Sequence, residues 1–250
     1  MKNLITRTIT GVLFVAVILG ATWFSQVSFR GLILITTILC QLEFYRLVNG
    51  NVSRWILYAD ILGGTYLVGL LFLLPNMQPG IPGIYLFSPY IIYLLYTFIV
   101  RLYLKEENPI KSLSLSLMGQ IYVALPLGLL SYIAYPPLEP QYLLMPYNAL
   151  MVIAFFTFIW LNDTGAYIVG SLLGKHRLFE RISPKKSWEG FIGGVIFTLA
   201  AGWVWSTQCS FLSLSQWIGL SAVVAIFSTW GDLCESLLKR TLKVKDSGQI

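Results

Sequence analysis

Charge is scarce in this sequence. Asp, Glu, Lys and Arg together make up 11% of its 250 residues, where soluble domains carry roughly 25%. That scarcity excludes a water-facing surface over most of the chain. With 56% hydrophobic residues and a mean hydropathy of +0.73, the composition is that of a polytopic membrane protein. Histidine is rarer still, with His176 alone, and the cysteines Cys40, Cys209 and Cys234 stand at neither metal-ligand nor disulfide spacing. A Cys/His zinc centre and a disulfide framework are therefore excluded, and the thiols read as small apolar fillers. Walker and GxGxxG spacings are missing, as are low-complexity segments and any convincing internal repeat. The N-terminus resembles a signal peptide, with Lys2 and Arg7 before an apolar run. It lacks a small-x-small cleavage site in "GATWFSQ", so it reads as a retained span.

What is present is a series of apolar runs near the roughly 20 residues that a membrane-spanning helix needs. Eight spans are predicted: Ile9–Phe24, Gly31–Leu47, Trp55–Leu74, Ile84–Leu104, Leu113–Tyr135, Leu143–Leu161, Gly190–Ser206 and Gln216–Leu238. The segments "LLPNMQPGIPG" and "YPPLEP" read as turns between them. The fold class is all-α and polytopic. Alternating the spans puts every one of the 17 lysines and arginines on the N-terminal side except Arg30. This positive-inside asymmetry makes both termini cytoplasmic.

The acids sort by depth. Asp163, Glu189, Asp232 and Glu235 fall at the inner ends of the sixth, seventh and eighth spans, while Glu43 and Asp60 fall a turn or two inside the second and third. Ionisable groups at such depth face a protein interior or a watery cavity. For Glu43 a local pair with Arg46 competes with a functional reading. For Asp60 the competitor is a polar contact between helices.

The densest stretch is "NDTGAYIVGSLLGKHRLFERISPKKSWEGFIGG", residues 162–194. Ser183 and Pro184 read as an N-cap and first helical residue. Lys185 and Lys186 would then lie in a first helical turn beside free N–H groups, which makes an anion site; ordinary inner-loop charge is the alternative. Gly170 with Gly174, and Gly190 with Gly194, are GxxxG pairs suited to close helix packing. Glu189 is expected to cap its helix or pair with a lysine. Further on, Asp232, Glu235, Ser236, Lys239 and Arg240 recur at spacings of three and four, along one helix face. Carboxylates beside bases at a membrane surface suit a metal-bridged phosphate; a salt-bridge ladder is the alternative. The residue chemistry leads to an inner-leaflet site for a phosphorylated ligand and stops there.

"SPKKSWEG" after "DTGAYIVGSLLGKH", followed by "GDLCESLLKRTLKVKDSG", closely resembles the bacterial phosphatidate cytidylyltransferases, or CDP-diacylglycerol synthases. The family signature falls on Ser236, Lys239, Arg240, Lys245, Asp246 and Ser247, and the likeness covers roughly residues 110–250. On this resemblance, residues 1–111 are N-terminal transmembrane helices and 112–250 the catalytic region, in a bacterial cell membrane. The reaction implied is CTP + phosphatidate → CDP-diacylglycerol + diphosphate, with Mg²⁺ as cofactor. The resemblance assigns Asp232 to the metal, with Glu235 as a helper. Ser236, Lys239, Arg240 and Lys245 would contact phosphates. Ser183, Lys185 and Lys186 would hold the triphosphate or the lipid phosphate. Asp163 would order that loop or contact nucleotide, and Asp246 would serve as a metal or outer carboxylate. The partners are CTP, phosphatidate and the bilayer; a homodimer stays open, and no nucleic acid is implied. In the family the signature continues into a Gly-rich turn, a second metal-binding aspartate and another helix. The chain ends at Ile250 before these, so it is expected to be truncated and poorly active. A CTP-dependent lipid kinase and an organic-anion transporter are the rivals. The transporter is disfavoured because no notable charge sits convincingly at the midplane.

Overall fold

The computed structural model describes residues 2–49, 53–77, 83–136, 146–242 and 244. The chain divides into two compact units, Met1–Ala149 and Leu150–Ile250.

The first unit contains α1 (Lys2–Phe24), α2 (Gln26–Asn49), α3 (Arg54–Leu73), α4 (Gly83–Tyr103), α5 (Pro109–Gly119) and α6 (Leu125–Ala134). Short polar residues set the starts. Ser25 and Ser28 exchange backbone-to-hydroxyl hydrogen bonds of 3.0 and 3.1 Å, which ends α1 and begins α2. Asn108 caps α5 by accepting from the Lys111 N–H, with Pro109 as the first helical residue. Between α5 and α6 lies one π-helical turn, Gln120–Ala124. Pro126 follows it and has no N–H to offer the helix, so the backbone there is free to widen. Together Pro109–Ala134 is a single apolar rod of 26 residues.

One cluster of polar groups inside this unit is paired across helices. Asp60 of α3 is fully buried. Its carboxylate accepts from the Tyr93 hydroxyl of α4 at 2.9 Å and from the Ser116 hydroxyl of α5. Buried Arg101 donates to Ser116 Oγ at 2.6 Å, and Gln120 Nε2 donates to the Asp60 carbonyl at 2.8 Å. Asp60 is thus the polar inter-helix contact that competed with a functional role. Glu43 and Arg46 form no ion pair with each other. Arg30, the basic residue set apart from the rest, donates to the Tyr135 hydroxyl at 2.9 Å, with its guanidinium 5.0 Å from the ring centroid.

The second unit contains α7 (Ala149–Leu173), a hairpin of β1 (Arg177–Phe179) and β2 (Ser183–Ser187), α8 (Trp188–Gln208) and α9 (Leu214–Thr241). A capping box of Ser213 and Gln216 starts α9. Glycines set the α7–α8 crossing. A Cβ on Gly190 would lie 2.9 Å from the Ala166 carbonyl and 3.2 Å from Gly170 Cα, and one on Gly165 would lie 2.9 Å from the Gly193 carbonyl. Only glycine permits backbones this close. The GxxxG expectation holds for Gly170, Gly190 and Gly194, whereas Gly174 lies just past the end of α7.

Among the described residues, seven helices are long and apolar enough to cross a membrane. The remaining expected span, the first, lies in α1 and has a shorter apolar part, Ile9–Phe24. The architecture is all-α and polytopic apart from the hairpin. Two boundaries need correction. The sixth span does not end near Leu161: α7 continues to Leu173, because Thr164 bonds back to the Trp160 carbonyl and the following glycines pack on α8. Asp163 is therefore inside a helix, ten residues short of its end. Ser183–Pro184 does not start a helix either. These residues open β2, and the cap of α8 is Ser187, whose hydroxyl accepts from the Gly190 N–H at 3.1 Å.

Gly190→Ala is predicted to lower the unfolding midpoint in detergent by the equivalent of about 1–3 kcal/mol, the usual cost of overpacking. Gly219→Ala in α9, where a Cβ meets open space, should not lower it. Thermal unfolding of both variants side by side checks this.

Candidate active site

The site is assembled from α7, the hairpin and α9. Asn162 is 2% exposed and donates through Nδ2 to Ser228 Oγ at 2.8 Å and Thr229 Oγ1 at 3.3 Å. The same side chain abuts Gly194 of α8. This junction registers α7 against α9, so that Asp163, the next residue along, lies within electrostatic reach of Asp232, a turn beyond Ser228.

The hairpin delivers a cation to these acids. β1 and β2 pair antiparallel, Arg177 opposite Ser187 and Phe179 opposite Ser183. Its base is held by Glu189 in the first turn of α8. The Glu189 carboxylate accepts from the Lys175 and His176 N–H groups at 3.1 and 3.2 Å and contacts His176 Nδ1 at 2.6 Å. The expected helix-cap role or lysine pairing of Glu189 thus becomes a clasp on the preceding loop, with histidine as the side-chain partner. The other end leans on α9: the Phe179 and Trp230 rings meet edge to face at 5.7 Å, and Arg240 Nε donates to the Ile182 carbonyl at 3.5 Å.

With the strand anchored by the buried Ser187 cap, Lys186 is directed at α9. Its ammonium forms an ion pair with Asp232 Oδ2 and donates to the Thr229 carbonyl at 3.5 Å. It also interacts electrostatically with Asp163. Lys185, one residue earlier, is exposed. Lower on α9, Lys239 pairs with Glu235 at 2.6 Å. The half-buried Ser236 lies on the same helix, and Arg240 reaches the hairpin.

A carboxylate paired with an ammonium, with a second carboxylate in electrostatic range and further cations on the same elements, matches the chemistry of a hard divalent ion shared with phosphates. Among the described residues no group of three or more His, Cys, Asp or Glu is placed to hold a metal. Mg²⁺ does not require one, because it binds through one or two carboxylates plus water and substrate phosphates. The half-exposed Asp232 carboxylate, paired with the Lys186 ammonium, fits that mode as a protein ligand, and Asp163 is in electrostatic range of it.

Residues 5–250 match the family model described as "Cytidylyltransferase family". The chain belongs to this family. Curated relatives include phosphatidate cytidylyltransferases of Staphylococcus haemolyticus, 48% identical, and of Staphylococcus saprophyticus, 45% identical; each match runs over 97 residues, 38% of this chain and 37% of the relative. A Staphylococcus aureus phosphatidate cytidylyltransferase is 43% identical over the same share. The matched stretch thus spans well under half the length of these relatives.

Of the residues singled out in this chain from its sequence, Lys186 and Asp232 pair, Asp163 lies within electrostatic range of both, and Arg240 meets the hairpin near Ser183. Lys185 sits on the same strand without joining the ion pair. Neither lysine lies in a helical first turn; strand alternation, not a helix dipole, separates their roles. Lys245 and Asp246 lie outside the described residues. Asn162 and the Thr229 carbonyl were not singled out. The only signal for Asn162 was its place before Asp163, and a backbone carbonyl leaves none.

Glu189→Ala should accelerate amide exchange at Lys175 and His176 and leave residues 214–225 of α9 unchanged. Hydrogen–deuterium exchange mass spectrometry on the detergent-solubilised protein measures both.

Proposed function

We propose that this membrane protein transfers CMP from CTP to phosphatidate, giving CDP-diacylglycerol and diphosphate. The observation that carries the reading is the ion pair of Lys186 with Asp232, within electrostatic range of Asp163, in a chain of the cytidylyltransferase family. A phosphate oxygen of the lipid attacks the α-phosphorus of CTP. The bond from that phosphorus to the bridging oxygen breaks, and its electron pair leaves with diphosphate. Little covalent chemistry is asked of the protein; positioning and charge neutralisation dominate. Asp232 and Asp163 would hold Mg²⁺, and the bound ion would neutralise phosphate charge and orient the reacting groups. Lys185 and Lys186 would bind the triphosphate or lipid phosphate from the hairpin side, with Ser183 beside them. Ser236, Lys239 and Arg240 would bind phosphate from the α9 side; by the family signature Lys245 would also bind phosphate and Asp246 would add a carboxylate. The catalytic region is residues 112–250, in a bacterial-type cell membrane with both termini cytoplasmic. A homodimer is compatible with this reading.

The discriminating assay incubates the protein with labelled CTP, phosphatidate and Mg²⁺ in detergent and identifies the lipid product. CDP-diacylglycerol supports the proposal, and a phosphorylated lipid alcohol would replace it with a CTP-dependent kinase. Asp232→Asn keeps size and hydrogen bonding but removes the charge a hard cation needs. It should lower turnover by roughly 10²-fold or more, the scale of losing one transition-state contact, with the unfolding midpoint retained. Turnover near wild type would remove Asp232 from the metal.

Topology is tested separately. Reporters fused after residues 50, 80, 108 and 140 should read inside, outside, inside and outside. An inside reading at 140 would overturn the inner-leaflet placement.

A further inference from the structure

We propose that the Lys186 ammonium is the resident cation of the metal-free site, and that a divalent ion must displace it to reach Asp232. This deepens the reading above and rests on its assignment of a metal to Asp232.

The ammonium sits among oxygens. It pairs with the Asp232 carboxylate, donates to the Thr229 carbonyl at 3.5 Å and acts on the Asp163 carboxylate. The Asp163 and Asp232 charges repel each other, and the nearby Lys186 ammonium offsets the repulsion. Its presence there is built in. Ser187, the next residue, is buried and caps α8. Phe179 on the paired strand packs on Trp230, two residues before Asp232. The backbone bearing Lys186 is thereby held against α9, while exposed Lys185 on the same strand makes none of these contacts.

The pair is also exchangeable. Its side chains keep 26% and 50% exposure, and ion pairs of that kind contribute little net stability. A divalent ion outcompetes a single ammonium for carboxylate oxygens on charge alone. The displaced ammonium, on a flexible four-carbon stem, is then free for a phosphate. One lysine would serve both states: it neutralises the acids when no metal is present and becomes a phosphate ligand when substrate arrives. Metal alone should release Lys186 toward solvent. A phosphate ligand present with the metal should hold it again.

The test is pulse labelling of the purified protein with limiting acetic anhydride, read by mass spectrometry as the ratio of Lys186 to Lys185 modification. Mn²⁺ binding is followed in parallel by loss of the free-ion paramagnetic resonance signal. Mn²⁺ alone should raise the ratio severalfold, and Mn²⁺ with inorganic diphosphate should bring it back down. Asp232→Asn should show the raised ratio without metal, and Mn²⁺ should add nothing further. If Mn²⁺ binds to the wild-type protein and the ratio does not move, the displacement is wrong while the metal assignment stands. If Mn²⁺ does not bind with or without diphosphate, the metal assignment and the displacement both fall. The wild-type measurement decides even if the Asn variant does not fold.

Discussion

The close crossing of α7 and α8 is the contact on which the candidate site depends. Gly165 on Gly193 and Gly170 on Gly190 let two backbones meet where any Cβ would strike main-chain atoms. Lipid offers apolar side chains no reason to prefer each other over acyl tails, so helix association in a bilayer rests on close packing and hydrogen bonds. The glycines supply the packing. Asn162 supplies the bonds, wedged on Gly194 and donating to Ser228 and Thr229 of α9. Three helices are locked at one level, and that level carries Asp163 and Asp232.

The hairpin extends the same logic to the basic residues. A strand presents neighbouring side chains to opposite sides, so Lys185 and Lys186 have different surroundings despite their identical chemistry. Glu189 fixes one end of the hairpin and Trp230 the other. The first unit solves a different problem. There a buried carboxylate, Asp60, is satisfied by hydroxyls of Tyr93 and Ser116, with Arg101 bonded to the same serine. This pairing across helices is the usual way to keep an ionisable group inside a membrane protein.

Much of this was legible in the residues themselves. Long apolar runs announced the helices. The motifs around Asp163, Lys186 and Asp232 pointed to phosphate chemistry through residue type and spacing. Two features were misread for one reason. An aspartate suggested that the sixth span had ended, and Ser-Pro suggested that a helix had begun. Both inferences priced a residue by its own preference. In the fold, Asp163 is carried by glycine packing on either side of it, and Ser183–Pro184 is recruited into a strand by pairing with Phe179.

The sequence by itself determined the membrane class and the residue types available for phosphate chemistry, because each follows from composition or from spacing along one chain. Tertiary structure alone decided which of those residues meet. Asp163 and Asp232 are separated by the hairpin and the whole of α8, and Lys186 was one of two adjacent lysines with nothing local to distinguish them. Their meeting depends on how closely two helices approach and on which side of a strand a side chain leaves, and neither is a property of any single segment.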